Sequence, residues 1–328
     1  MFKFKNVYIY KNATDYPVAQ KIHSYCKENN IECEITNRAT SEETEGFKAY
    51  AQAKRTLWIT VKKIGKFQTC KPSADYQLTL VSGCVGMCEY CYLSTRSGIR
   101  PVVKVYANVD EILQKAKDIS TENTVFEMSA SSDPVPLEPL TGVLSKAVEF
   151  FAQNDNMRLR IATKFTDIDS ILNIDHKNHT EIRYSINTEH IIKTFEHSTP
   201  TLDERLSAVS KLKNAGYSVG FIIAPVILYD GWQKDYENML KNTAKSIPNG
   251  EYTFEIISHR FTTTAKNNIL NIFPQTTLDM NEEGRKFKFG QFGYGKFVYE
   301  KEHLAQMKEF FKNNIEKYFE NAKILYII

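Results

Sequence analysis

Residues 76–92 read Tyr-Gln-Leu-Thr-Leu-Val-Ser-Gly-Cys-Val-Gly-Met-Cys-Glu-Tyr-Cys-Tyr, and the reading of that stretch decides the fold. Its first part, Tyr76–Val81, is an apolar run of strand length. Its second part is a glycine-containing loop with cysteines at 84, 88 and 91, a C-x3-C-x2-C spacing. Outward from that loop, further strands are expected at Thr124–Ala130, Leu159–Lys164, Ile182–Asn187, Val219–Ala224 and Tyr252–Ile257. Helices are expected at Val109–Ile119, Val143–Ala152, Leu202–Ala215 and Trp232–Ile247, with Gly216 as a C-cap signal. Six strand–helix units in about 200 residues predict an α/β fold, a parallel sheet with helices outside, either an open barrel or a doubly wound sheet. Chemistry in such folds sits at strand ends and in the loops after them.

Before this rhythm lies a smaller α/β unit, with strands at Val7–Tyr10, Ile31–Ile35 and Leu57–Val61 and helices over Tyr16–Asn29 and Glu42–Arg55. After it come a basic-aromatic segment, Arg285–Tyr299, a helix over His303–Phe319 and a short apolar end. The expected divisions are therefore 1–75, an N-terminal subdomain; 76–275, the main sheet; and 276–328, a hairpin-and-helix extension.

Composition narrows the class. The chain has 328 residues, 42% hydrophobic and 25% charged, the balance of a globular protein. Lys and Arg total 42 against 39 Asp and Glu, so a basic footprint for nucleic acid must be local. The longest apolar run, Val219–Leu228, contains Gly220 and Pro225 and is too short to span a bilayer of ~30 Å. No signal-peptide pattern is read at the N-terminus, so no membrane partner and a cytoplasmic, reducing location are expected. Six cysteines in a chain of this length, three of them within eight residues, do not make a secreted disulfide scaffold.

Clustered cysteines in a reducing compartment point to metal or catalysis. A structural zinc needs four ligands, normally two separated pairs, and no second pair follows here. Three thiolates on one loop suit a [4Fe–4S] cluster with one iron left open. S-adenosylmethionine (SAM) can chelate that iron and, on receiving an electron, break to a 5′-deoxyadenosyl radical. Tyr90, directly before the last cysteine, completes the radical-SAM form of the loop. Cys26 and Cys33 read as small core residues.

At this point the chain resembles the spore photoproduct lyase family of radical-SAM DNA repair enzymes. The resemblance is carried by Lys71-Pro72-Ser73-Ala74-Asp75-Tyr76, the cysteine loop through Leu93, Phe126-Glu127 with Ser132-Asp133, and Thr163-Lys164-Phe165. It continues through Tyr184-Ser185-Ile186-Asn187, Gly216-Tyr217, Gly220–Pro225, Gly231-Trp232, His259–Thr262 and Gly293–Lys296. It implies a partial (β/α)6 barrel with the small N-terminal unit and the C-terminal hairpin and helix. The implied reaction is direct reversal of the spore photoproduct, a methylene-bridged thymine dimer in DNA, to two thymines. The adenosyl radical takes a hydrogen from C6, the bridge breaks, and the remaining thymine radical needs a hydrogen atom back. Cys84, Cys88 and Cys91 are implied as cluster ligands; Ser132, Asp133, Lys164, Ser185, Asn187 and Ala224 as SAM or cavity contacts. An electron donor such as flavodoxin or ferredoxin and a role in sporulation or germination follow from the same resemblance. The competing readings are a radical-SAM paralogue acting on another nucleic-acid or nucleoside substrate, and a non-catalytic Fe–S DNA-damage-binding protein.

Two departures stand out. The family returns the hydrogen atom from a cysteine between the Phe-Glu and Ser-Asp pairs, where this chain has Ala130. Alanine has no labile hydrogen, so Cys70 becomes the candidate donor, with Tyr90 and Tyr92 as candidate relays. The family's Arg-Tyr is replaced by Gln291-Phe292. For DNA the expected contacts are His259, Arg260, Lys286, Lys288, Tyr294 and Lys296, cations for phosphates and an aromatic for exposed bases. A lesion of adjacent bases must be flipped out to reach a barrel centre, which a hairpin wedge would assist. His176, His179, His190 and His197 follow no ligand spacing and read as surface or core residues.

Overall fold

The computed structural model describes residues 2–38, 44–93, 98, 100–289, 293 and 295–328. The chain divides into two compact units, one of residues 1–85, 99–182 and 215–217, the other of 86–98, 183–214 and 218–328.

In the first unit, four short strands pair in parallel in the order Glu32–Thr36, Asn6–Tyr10, Thr56–Thr60, Val103–Tyr106, and Val81–Ser82 adds antiparallel at the edge. Alternation decides their faces: Val7, Ile9, Leu57, Ile59, Val103 and Val105 are all buried. The helix Pro17–Glu28, with proline at its first position, adds Val18, Ile22 and Cys26 to this core. The same unit holds the parallel strands Ala74–Gln77, Thr124–Glu127 and Met157–Thr163, in register Tyr76↔Phe126↔Leu159. Thr69–Cys70 pairs antiparallel to the first of them. Helices Val109–Ile119 and Val143–Ala152 have the bounds expected from periodicity.

The second unit contains the parallel strands Ser218–Val226, Tyr252–Ser258 and Ala322–Ile327, with Phe221↔Phe254↔Ile324 in register. Helices Glu189–Phe195, Leu202–Asn214, Trp232–Ser246, Thr263–Ile272 and Lys301–Tyr318 belong to it, as does the hairpin Arg285–Phe289/Gly295–Tyr299. Strand Thr180–Ser185 is divided between the units. No helix among the described residues is long and apolar enough to cross a membrane.

Three features differ from the sequence reading. Tyr76–Val81 is not one strand: hydrogen bonding passes from Leu78 N–Glu127 O to Tyr106 N–Leu80 O, so the chain leaves one sheet and enters the other. Leu78 and Leu80 are buried throughout, which is why the run looked continuous. Val103–Tyr106 was not expected as a strand; with only four residues its pattern is too short to register. The apolar end is a strand, its alternation half-exposed because among the described residues it pairs with a single strand, Tyr252–Ser258.

Candidate active site

The cysteine loop is rooted in the first unit. Gly83 N donates to Ser131 O (3.0 Å), and Gly83 O accepts from Asp133 N (3.3 Å), so residues 131–133 run beside the root. Gly83 has φ +82°, and a Cβ there would lie 2.7 Å from the Val102 carbonyl oxygen; no side chain fits. The next residue, Cys84, has its carbonyl oxygen taken by Lys54 Nζ at 2.8 Å.

Ser132 and Asp133, expected near SAM, are thus on the segment that pins this root. Ser132 is buried and its hydroxyl donates to Met128 O (3.2 Å). Asp133 is buried and accepts from Thr163 Oγ1 at 2.8 and 2.9 Å, from Lys164 N at 3.1 Å and from Val135 N at 3.2 Å. Burial pushes its carboxyl up to about 6 against these donors, which pull the other way. Asp133 therefore braces the end of strand Met157–Thr163, next to the half-buried Lys164.

A second carboxylate organises the region of Cys70 and Ala130. Glu127, 4% exposed, accepts from Ser73 Oγ (3.0 Å), from Ser129 N (3.1 Å) and from the Ser129 hydroxyl. Ser129 Oγ in turn accepts from Ala162 N (2.5 Å), and Arg160 donates to the Ser73 carbonyl. The turn following Cys70 and the segment holding Ala130 hang from one carboxylate. Both Cys70 and Ala130 are half-buried.

In the second unit the rest of the loop is gripped by Glu196–His197, which pairs antiparallel with Met87–Cys88. Around this ladder the side chains form a buried network. The Tyr90 hydroxyl donates to Glu196, whose other oxygen accepts from Arg205 Nη2 (2.5 Å). Arg205, with no exposed side-chain surface, also donates to Ser185 O (2.9 Å) and Pro200 O. Burial, then the Glu196 charge, pushes the Tyr90 phenol well above its ordinary range. Glu89 meets His197 Nε2 at 2.6 Å and accepts from Thr276. Tyr92 is 63% exposed. The sequence does not single out Glu89, Glu196 or Arg205, and His197 reads from it as a surface or core residue.

The other SAM candidates lie in this unit. Ser185 is buried and its carbonyl is the one held by Arg205. Asn187 is fully buried: its amide donates to Pro225 O (2.8 Å) and its oxygen accepts from Thr188 N (3.0 Å). It thereby ties its strand end to Ala224-Pro225, where Ala224 is half-buried.

On the hairpin, register puts Lys286, Lys288 and Lys296 on one face, with Lys288 directly opposite Lys296, and Phe287, Phe289 and Phe297 on the other. Burial, Arg260 and Lys288 together lower the Lys296 pKa, so Arg260, Lys288 and Lys296 form one positive cluster. Like charges facing each other across a ladder are unfavourable unless an anion lies over them. Phe289 is 78% exposed. His259 departs from the expected phosphate contact. It is 2% exposed, and burial followed by the Arg285 charge drives its pKa down to about 3, leaving a neutral ring. Arg285 takes its place in the structure as an internal cation, 3.7 Å above the Tyr299 ring and donating to His259 O (3.0 Å). Tyr294, Gln291 and Phe292 lie outside the described residues.

The donor set suits an iron–sulfur cluster: three thiols on one short loop, none in a disulfide. Among the described residues no three His, Cys, Asp or Glu side chains are arranged as a ligand set, so the fit rests on the donors and their loop.

Comparison with known proteins settles the class. The chain matches the family model described as Spore photoproduct lyase over residues 2–328. It is similar to a spore photoproduct lyase of Clostridium acetobutylicum, 48% identical over 335 residues, covering 99% of each chain. It is 39% identical to one of Bacillus subtilis, covering 98% of this chain and 97% of that one. Solved structures agree: spore photoproduct lyase complexed with dinucleoside spore photoproduct gives a TM-score of 0.96 at 36% identity, over 100% of this chain and 99% of that chain. A double mutant with bound AdoMet and dinucleoside spore photoproduct, one cysteine replaced by alanine and one serine by cysteine, gives the same values. The fold is the expected α/β partial barrel with its added hairpin, and the protein is a radical-SAM enzyme using a [4Fe–4S] cluster and SAM. The chain belongs to the spore photoproduct lyase family, whose reaction is reversal of the spore photoproduct in DNA.

Proposed function

We propose that this chain repairs the spore photoproduct with Cys70 as the hydrogen-atom donor, in place of a cysteine at position 130. When bound, the cluster and SAM supply the carbon radical that opens the lesion. Cys84, Cys88 and Cys91 hold the iron. Ser132, Asp133, Lys164, Ser185, Asn187 and Ala224 are the SAM or cavity contacts of this reading, Asp133 and Asn187 each bracing a strand end within its own unit. A thiol hydrogen passes readily to a carbon-centred radical.

The observation that carries the Cys70 reading is Glu127. Its carboxylate holds the turn after Cys70 and the segment around Ala130 together. A relative solved with an introduced alanine and an introduced cysteine presents the same pair of residue types as Ala130 and Cys70. Tyr90 and Tyr92 are the candidate relays: Tyr92 is exposed, while Tyr90 is engaged by Glu196. Lys286, Lys288, Lys296 and Tyr294 of the 276–328 extension contact DNA, together with Arg260 at the end of the 76–275 barrel, the 1–75 subdomain completing the expected division. His259 supports them from inside. Six free cysteines suit a reducing cytoplasm with a flavodoxin- or ferredoxin-type electron donor, and family membership suits germinating spores.

Anaerobic repair of a photoproduct dinucleotide tests this. Cys70→Ala should still cleave SAM while the yield of intact thymine pairs falls at least about tenfold in favour of side products. Clean repair at the wild-type yield would exclude Cys70.

A further inference from the structure

Lys54 is the last residue of helix Gly46–Lys54, is 2% exposed, and forms no ion pair among the described residues. Its ammonium donates to the Cys84 carbonyl oxygen at 2.8 Å and stands 5.1 Å from the ring centroid of Tyr50, itself buried. A buried ammonium without a counter-charge is costly, and replacing such a group by an apolar one usually stabilises a chain. The end of its own helix offsets part of that charge. Yet Nζ is spent on the carbonyl of Cys84 and not on a carbonyl of that helix. An anion held by Cys84 would supply the missing counter-charge. A cluster with three thiolate ligands is net anionic, and more so after it accepts an electron.

We infer that Lys54 is a positioning and charge-tuning residue for the iron–sulfur cluster, fixing Cys84 through its carbonyl and raising the cluster's reduction potential with a buried positive charge. The inference rests on Cys84 being a ligand. It is independent of the hydrogen donor and of the DNA face. Net charge and exclusion of water are established determinants of cluster potential, and groups behind the ligands tune metal sites. An ammonium favours the reduced, more anionic state over the oxidised one. Its removal lowers the potential.

The test compares wild type, Lys54→Gln, Lys54→Arg and Lys54→Met in the full chain, with the cluster reconstituted anaerobically and its midpoint potential read by EPR-monitored titration. Lys54→Gln retains a hydrogen-bond donor without charge. It should lower the ratio of reduced to oxidised cluster at fixed potential about tenfold, equivalent to about 59 mV for one electron. Lys54→Arg should restore most of it. A Lys54→Gln midpoint equal to wild type overturns the inference. Thermal unfolding gives a second reading that needs no loaded variant: without the cluster, Lys54→Met should unfold at the wild-type temperature or above it, and a lower temperature overturns the inference. Cys84→Ala checks the premise separately. Retention of the full cluster there would refute the ligand assignment, whereas loss of it with an unmoved Lys54→Gln potential would refute only the role of Lys54.

Discussion

The two ends of the cysteine loop are fixed by different physics. At Cys84 the grip is on the backbone: Gly83 is clamped to residues 131–133, the Cys84 carbonyl is held by Lys54, and no side chain fits where Gly83 bends. At Cys88 and Cys91 the grip comes from side chains, a buried Tyr90–Glu196–Arg205 chain and a Glu89–His197 pair around a two-residue ladder. A backbone clamp tolerates changes in the side chains of the clamped residues but not in their backbone freedom. A charged network does the reverse, since loss of one member strands the others in a medium that cannot solvate them.

Three changes put that contrast to the test. The largest effect is expected from Glu196→Ala, which leaves Arg205 buried without its carboxylate and Tyr90 without its acceptor. It should cost about 3–5 kcal/mol, read by chemical denaturation, and a loss under about 1 kcal/mol would show that the network is dispensable. Gly83→Ala forces a Cβ towards the Val102 carbonyl at positive φ and should cost on the order of 2–4 kcal/mol, with lower iron occupancy after reconstitution. An unchanged melting temperature and full iron content there would refute the backbone clamp.

The smallest effect concerns pH. Asp133 binds its proton more tightly folded than unfolded, since its carboxyl rises from 3.8 to about 6. Its contribution to stability is therefore present below pH 3.8 and is lost as pH rises to about 6. Asp133→Asn should flatten that part of the stability curve, a change of roughly 1–3 kcal/mol across the window. Superimposable curves for wild type and variant would show that the three donors around Asp133 outweigh its burial.

Much of this was legible beforehand because it is local. Periodicity set the helices Val109–Ile119 and Val143–Ala152 to the residue, and C-x3-C-x2-C with Tyr90 named the chemistry. What escaped was what depends on chain closure. Tyr90 and Glu196 are 106 positions apart, and Arg205 on an amphipathic helix looks like any solvated cation until its partner is known. Lys54 looks the same at the end of a helix. His259 misled in the opposite direction, because a histidine at a strand end beside an arginine suggests phosphate, while burial under Arg285 leaves it neutral.

Glu127 also bears on divergence. Since one carboxylate anchors both the turn after Cys70 and the stretch around Ala130, a thiol can be lost from one limb and regained on the other without rebuilding the strand ends between them. On the proposed Cys70 role, the hydrogen donor would be a movable part and the acid that holds both limbs the fixture.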